Sequence, residues 1–269
     1  MTGPLVNHST DQLFNPYQLA SHSITVNCHM LPNHRIYPCG DHAITIELGT
    51  TIDRSVNEQV ISLYSYLSSL QSEEILDIIP SYHTLTIIYD LYRLKKTTAE
   101  GTVYHRMKQW LAAAAAVYSQ VPIPSRQMRI PVCYEPEFAL DAAIIAAPHQ
   151  LSMEELVRLH TACVYRVYLL GFLPGFAYMG TVDEKLVAPR KISPRTMVPA
   201  GSVGIAGAQT GIYPFDSPGG WQIIGRTPLV LFNRQDAQPC LLQPGDEVSF
   251  YAIDTSTYHH IQEHGHTHS

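Results

Sequence analysis

Basic and polar side chains alternate with glycines and prolines between residues 171 and 232, and this segment holds most of the chain's sixteen glycines. Glycine permits positive φ angles and close backbone approach, whereas proline fixes φ and removes a hydrogen-bond donor. The composition therefore predicts shaped loops on a strand scaffold, and loops of that kind often carry a functional site. The alternative is that these residues only turn the strands of a tight β-barrel.

The basic residues of this segment could bind a phosphate or a carboxylate. Arg195 is the favoured catalytic candidate, because prolines border its loop on both sides and a guanidinium group binds either anion bidentately. The alternative role for Arg195 is a structural salt bridge to a carboxylate. The other basic residues considered are Arg190, Lys191 and Arg226.

Several polar residues and glycines of the segment are predicted to bind the substrate. The backbone and side chains at Ser202 and Thr210 could contact an anion or a carbonyl, although both side chains could instead satisfy turn backbone. Trp221 could cover an apolar ring, and packing in a barrel core is its alternative role. The predicted substrate-binding residues are Ser202, Gln209, Thr210, Tyr213, Ser217, Gly219, Gly220, Trp221 and Arg226.

His160 is the second catalytic candidate, since it lies beside the apolar stripe of a predicted helix and could act as an acid or base near neutral pH. A hydrogen-bonded core histidine is the alternative. Glu137 and Asp141 are four residues apart and could pair on a helical turn, but a solvated face is the default expectation. The chain contains no G-x-x-x-x-G-K-[ST], G-x-S-x-G or H-E-x-x-H motif. No metal site is predicted, and the incomplete catalytic set favours a site shared with a second polypeptide.

Composition describes a folded protein and limits its partners. The 269 residues are 45% hydrophobic and 15% charged, with a formal net charge of −6, which argues against a nucleic-acid partner. No run of eighteen apolar residues predicts a membrane span, and the first residues do not resemble a secretory signal. Five scattered cysteines, with no C-x-x-C pair, favour a reducing cytoplasm.

The elements that hold these loops follow two patterns along the chain. Residues 1–33 are polar and weakly patterned, which predicts a flexible N-terminal extension. Between residues 34 and 121, short β-branched runs alternate with two helical patterns, at Val56–Leu70 and Val103–Val117. This order predicts a compact α+β domain with an antiparallel sheet.

Residues 126–254 predict an all-β barrel. Short strand candidates with glycine and proline turns follow residue 171, including Leu229–Phe232 and Glu247–Ile253. One helix is expected before them, because a capping box begins at Ser152. Residues 255–269 hold five histidines that could bind a transition metal adventitiously, but a disordered tail is the prediction.

Three motifs carry a family resemblance: GFLPGFAYMG, SPRTMVPAGSVGIAGAQTGIYP and SPGGWQIIGRTPL. They resemble the signature of the 5-oxoprolinase B subunits, the KipI or allophanate hydrolase subunit 1 family, from about residue 37 to residue 253. The resemblance implies a small ferredoxin-like α/β domain over residues 34–121 and a cyclophilin-like β-barrel over residues 126–254. It further implies partner subunits C and A, with which the family opens 5-oxo-L-proline to L-glutamate using ATP.

The same resemblance leaves two other functions open. One is a KipI-type regulator that inhibits a histidine kinase, and the other is an allophanate hydrolase or urea carboxylase-type carboxyltransferase subunit. Whether ATP binds this chain or a partner subunit is also left open. The chain departs from the family pattern at Tyr134–Asp141, where glycines usual in relatives are absent, so the shape of that loop is not predicted.

Overall fold

The computed structural model describes residues 34–98, 101–118 and 125–264. These residues form two compact units, 34–118 and 125–264. The predicted extension at residues 1–33 lies outside the described residues. Within the described ranges, no helix combines the length and the hydropathy needed to cross a membrane.

The first unit contains four strands and three helices. They are β1 (Arg35–Pro38), β2 (Ala43–Glu47), α1 (Arg54–Ser69), β3 (Ile75–Pro80), β4 (Thr84–Tyr89), α2 (Leu91–Thr97) and α3 (Val103–Val117). The strands form an antiparallel sheet in the order β1-β2-β4-β3. The first helical pattern is confirmed in α1, which Asp53 caps by accepting hydrogen bonds from two backbone amides. Val60, Leu63 and Leu67 on one face of α1 are buried in the core of this unit.

The second unit is built around a closed seven-stranded barrel, which confirms the barrel prediction. Its elements are β5 (Gln127–Cys133), α4 (Ala142–Ala146), α5 (Met153–Thr161), β6 (Val164–Leu170), β7 (Ala177–Gly180), β8 (Arg195–Val198), β9 (Ser202–Ala206), β10 (Gln209–Ile212), β11 (Ser217–Gly219), β12 (Gln222–Arg226), β13 (Glu247–Ile253) and α6 (Thr255–His264). The barrel order is β10-β7-β6-β13-β5-β12-β9, and only β13 and β5 run parallel within it. Alternate residues such as Ile130 and Val132 fill the interior. The ferredoxin-like and cyclophilin-like classes stay predictions.

Two expectations for the second unit are wrong. Leu229–Phe232 is not a strand, because it forms only an isolated bridge between Phe232 and Cys240. Residues 255–264 are not disordered but form α6, whose first turn is capped by Asp254 through a 2.7 Å hydrogen bond from the Thr257 amide. Tyr258 fixes this helix, since its side chain is 2% exposed and its ring packs 4.5 Å from that of Phe138. Residues 265–269 lie outside the described residues.

Candidate functional site

A cleft of about 260 Å³ opens on the surface of the second unit. Its walls come from the turn before β7, from β7 itself, from the loop before β8, and from the connection between β10 and β12. The residues that line it are Phe172, Phe176, Tyr178, Arg190, Lys191, Pro194, Tyr213, Pro218, Gly219, Gly220 and Trp221. The cleft is therefore aromatic with two cationic side chains.

Aromatic rings packed edge to face form the base of the cleft. The Phe176 ring lies 5.4 Å from that of Trp221 and 5.1 Å from that of Tyr213, both at 84°, a favourable arrangement for aromatic pairs. Gly211 on β10 permits this packing, because a Cβ there would lie 2.9 Å from the Ala177 carbonyl and 3.0 Å from the Trp221 ring. Trp221 is 4% exposed, so it both packs in the core and lines the cleft.

Phe172 stands at the mouth of the cleft in an unusual conformation. Its φ angle is +68°, a value that residues other than glycine uncommonly adopt. The side chain is 61% exposed, yet its ring lies 5.6 Å from Phe176 and 6.5 Å from Tyr213 in T-shaped contacts. The backbone conformation therefore places a largely exposed apolar ring beside the cleft.

Two cations line the cleft. The guanidinium carbon of Arg190 lies 6.0 Å from the centre of the Trp221 ring, within the range of a cation–π contact. Among the described residues, no carboxylate forms an ion pair with Arg190. Lys191 donates a 2.9 Å hydrogen bond from Nζ to Asp141. Arg190 is thus available to bind an anion, whereas Lys191 already has a carboxylate partner.

Asp141 ties the loop before β8 to the barrel. Its carboxylate, 1% exposed, accepts hydrogen bonds from both terminal nitrogens of Arg195 at 2.6 and 2.8 Å and from the Ile223 amide at 2.8 Å. Burial acts to raise the pKa of Asp141, but hydrogen bonds from Arg195, Ile223 and Lys191 outweigh it and hold the pKa below its ordinary value. One carboxylate therefore neutralises one of two cations, which leaves this wall of the cleft positively charged.

The lining can bind a ligand but offers few reactive groups. It contains no Asp, Glu, His, Ser or Cys side chain. Burial raises the pKa of Tyr178 and of Tyr213, so both phenols stay protonated near neutral pH. The arrangement suits a small molecule that combines an apolar ring with an anionic group.

Comparison with known proteins agrees with the sequence motifs. The carboxyltransferase domain family, subdomains C and D, matches residues 34–242. The 5-oxoprolinase B subunit of Bacillus subtilis (strain 168) is 41% identical over 240 residues, which cover 87% of this chain and 99% of that protein. The chain belongs to the family of 5-oxoprolinase B subunits. The Haemophilus influenzae member is 42% identical over 194 residues, 72% of this chain and 87% of that protein.

More distant members of the wider family share part of the chain. A putative urea carboxylase of Emericella nidulans is 25% identical over 167 residues, which are 52% of this chain and 14% of that protein. The urea carboxylase alternative is therefore less well supported than the 5-oxoprolinase assignment.

Solved structures show the same fold. The crystal structure of TTHA0988 has a TM-score of 0.68 and 32% identity over 79% of this chain. This chain spans only 40% of that one. The Kluyveromyces lactis urea amidolyase has a TM-score of 0.66 and 19% identity over 89% of this chain. This chain spans 16% of that protein, and at this identity the likeness shows a shared fold alone.

The predicted substrate-binding residues of this 5-oxoprolinase family member divide into two groups. Tyr213, Gly219, Gly220 and Trp221 line the cleft. The others lie outside its lining. Two of them bond the backbone of the unit: Thr210 Oγ1 donates to the Gly204 carbonyl at 3.1 Å, and Arg226 Nε donates to the Ala200 carbonyl at 2.6 Å. These others are Ser202, Gln209, Thr210, Ser217 and Arg226.

The two catalytic candidates do not reach the cleft. Asp141 accepts hydrogen bonds from both terminal nitrogens of Arg195, which favours the structural alternative for this residue. His160 is fully buried, and its ring nitrogens lie 2.8 Å from Tyr134 Oη and 3.1 Å from Thr210 Oγ1. Burial lowers the pKa of His160 to about 3, so the ring is neutral. This geometry argues against acid–base catalysis by His160.

Two features of the site lie beyond what the sequence pattern predicts. Phe172 and Phe176 are not among the predicted site residues, but the structure places both in the cleft. Asp141 reads as part of a solvated face, but it is buried on two cations. Three aromatic residues within seven positions, at 172, 176 and 178, were the available signal for the first feature. No local pattern marks the second.

Proposed function

We propose that this chain is the B subunit of an ATP-dependent 5-oxoprolinase, which acts with subunits A and C to hydrolyse 5-oxo-L-proline to L-glutamate. The observation that carries the proposal is the 41% identity over 99% of the Bacillus subtilis protein. Because the match runs through nearly the whole relative, it includes both units described here. The complex is a cytoplasmic heteromer in this proposal.

The cleft is the substrate contact of this subunit. 5-Oxoproline is a five-membered lactam with one carboxylate, so it needs an apolar surface for its ring and a cation for its charge. The apolar surface is supplied by Trp221, Tyr213 and Phe172, and the cation is Arg190. A volume of about 260 Å³ suits a ligand of few atoms.

The chemical step needs groups that the cleft does not contain. A lactam carbonyl is a poor electrophile, and ATP can activate it by phosphorylating the amide oxygen. The transfer, with ADP as the leaving group, requires positioned cations. The later attack of water on the activated ring carbon, which breaks the C–N bond and releases phosphate, requires a group that activates water. The lining supplies cations but neither a carboxylate nor a histidine. The remaining groups, and the nucleotide site, are therefore assigned to the complex and not to this chain alone.

Reconstitution of the complex tests the proposal. Purified subunits A and C, combined with this chain and ATP, should release glutamate from 5-oxoproline. Omission of this chain or of ATP should each abolish release. Full activity of A and C without this chain, or no turnover when all three are present and folded, would reject the assignment. Lowered autophosphorylation of a histidine kinase on adding this chain alone would favour the regulatory alternative.

A further inference from the structure

The last turn of α6 carries two histidines on one face. His260 and His264 are separated by one helical turn, both side chains are exposed, and Glu263 lies between them in the spacing H-x-x-E-H. Residues at i, i+3 and i+4 are neighbours on a helix surface. Two histidines at i and i+4 are the arrangement by which helical H-E-x-x-H motifs hold zinc.

The distance between the two ring centres is that of two imidazoles on one metal ion. Their centroids lie 4.7 Å apart, with the ring planes at 31°. Metal–nitrogen bonds of about 2.0–2.1 Å, at ligand angles of 90–110°, put two ring centres roughly 4.5–5.2 Å apart. The observed separation falls in this range.

The hydrogen bonding of His264 fixes which nitrogen is available. Its Nδ1 lies 3.0 Å from the His260 carbonyl oxygen and must donate to it. The neutral ring then presents Nε2 as an acceptor. Metal-bound histidines commonly make this second hydrogen bond to a backbone carbonyl, which orients the ring.

The helix that carries the pair is anchored to the barrel unit. Asp254 caps its start, and Tyr258 packs against Phe138. The C-terminal end of a helix also carries a partial negative charge, which favours a bound cation. The two rings are therefore presented on a fixed support and in a favourable field.

We propose that His260 and His264 bind one divalent transition-metal ion, His264 through its Nε2 atom. Imidazole ligands favour Cu²⁺, Ni²⁺ and Zn²⁺ over Mg²⁺ and Ca²⁺. No group of three or more metal-binding side chains occurs within the described residues, so water or another ligand completes the coordination. This site is separate from the cleft and does not depend on the proposed function.

Calorimetric titration of the metal-free full-length chain with Ni²⁺ tests the site. One ion should bind per chain. His260→Gln and His264→Gln should each weaken binding by roughly tenfold or more, because loss of a residue that only supports a metal ligand already weakens binding by about that much. His149→Gln, which changes an exposed histidine outside α6, is the matched control and should bind as the unmodified chain does. Binding should weaken on acidification, because protons compete for imidazole.

A truncated chain that ends at His264 separates this site from the histidines at positions 266 and 268. The truncated chain should still bind one Ni²⁺ ion. Mg²⁺ should produce no heat of binding with the full-length chain or with the truncated chain. Loss of Ni²⁺ binding on truncation, or unchanged binding in both α6 variants, would overturn the proposal. Circular dichroism of each variant shows that the helix is retained.

Discussion

Arg190 and Arg195 are close in sequence and differ in their surroundings. Arg195 is held bidentately by Asp141, whereas Arg190 stands beside the Trp221 ring. The sequence predicts that a cation in this loop is functional, but it cannot tell which one, because Asp141 lies more than fifty residues before Arg195. Non-local partners of this kind decide whether a charged side chain stabilises the fold or is left to bind a ligand.

Asp141→Asn should destabilise the protein, because two cations lose their buried partner. The free energy of unfolding at pH 7 should fall by about 3 kcal/mol. The folded pKa of Asp141 is lowered, so its contribution is present at neutral pH and is lost as the pH falls below about 4. In urea unfolding, the difference in free energy of unfolding between the variant and the unmodified protein should therefore be smaller at pH 3 than at pH 7.

Glu135→Gln removes one exposed charge from the same segment and serves as the control. It should change stability by no more than about 0.5 kcal/mol at either pH. Equal effects of the two substitutions would contradict the role assigned to Asp141.

Phe172→Gly should separate binding from stability. Glycine adopts the φ of +68° without strain, and little buried surface is lost because the ring is 61% exposed. We expect unchanged or slightly raised stability, by up to about 1 kcal/mol, together with a raised KM for 5-oxoproline in the complex. Phe172→Ala keeps the strain and should raise KM without the gain in stability. A Gly variant with unaltered KM would remove Phe172 from the site.

At the scale of elements, the glycine-rich segment holds six short strands, β7 to β12, between its loops. Ser202 and Thr210 lie on β9 and β10 and are buried, although the sequence pattern places them between turns. Strands of four or five residues carry too little alternation to distinguish them from loops when glycines interrupt them. The α1 and α3 patterns are predictable, by contrast, because each extends over four helical turns.

Gly211→Ala tests whether strand β10 sets the base of the cleft. The added methyl group would contact the Ala177 carbonyl and the rings of Trp221 and Phe176 at 2.9–3.1 Å. Overpacking of this kind should cost about 1–3 kcal/mol in thermal or urea unfolding. Gly220→Ala meets nothing nearer than 3.6 Å and should cost less than about 0.5 kcal/mol. Equal stability of both variants would show that the contact is relieved elsewhere.

At the scale of the whole molecule, the barrel unit presents a cleft whose lining holds aromatic rings and cations but no carboxylate or histidine. The family and the barrel are predictable from sequence, because three long motifs carry them. The tail is not: composition predicts disorder from residue 255, and Tyr258 instead anchors α6 to the barrel unit. Burial of this one aromatic side chain orders a segment whose histidine-rich composition gives no local helical signal.

The central claim is that this chain provides the cleft that holds 5-oxoproline in a complex. The direct test is the KM for 5-oxoproline of the assembled three-subunit complex carrying Arg190→Gln in this chain. Arg158→Gln, which removes an exposed arginine paired with Glu155 on α5, is the control. Loss of a charge-assisted hydrogen bond should raise KM by roughly tenfold to a hundredfold with the Arg190 variant and leave it unchanged with the Arg158 variant. Identical KM values for the two variants would contradict the account.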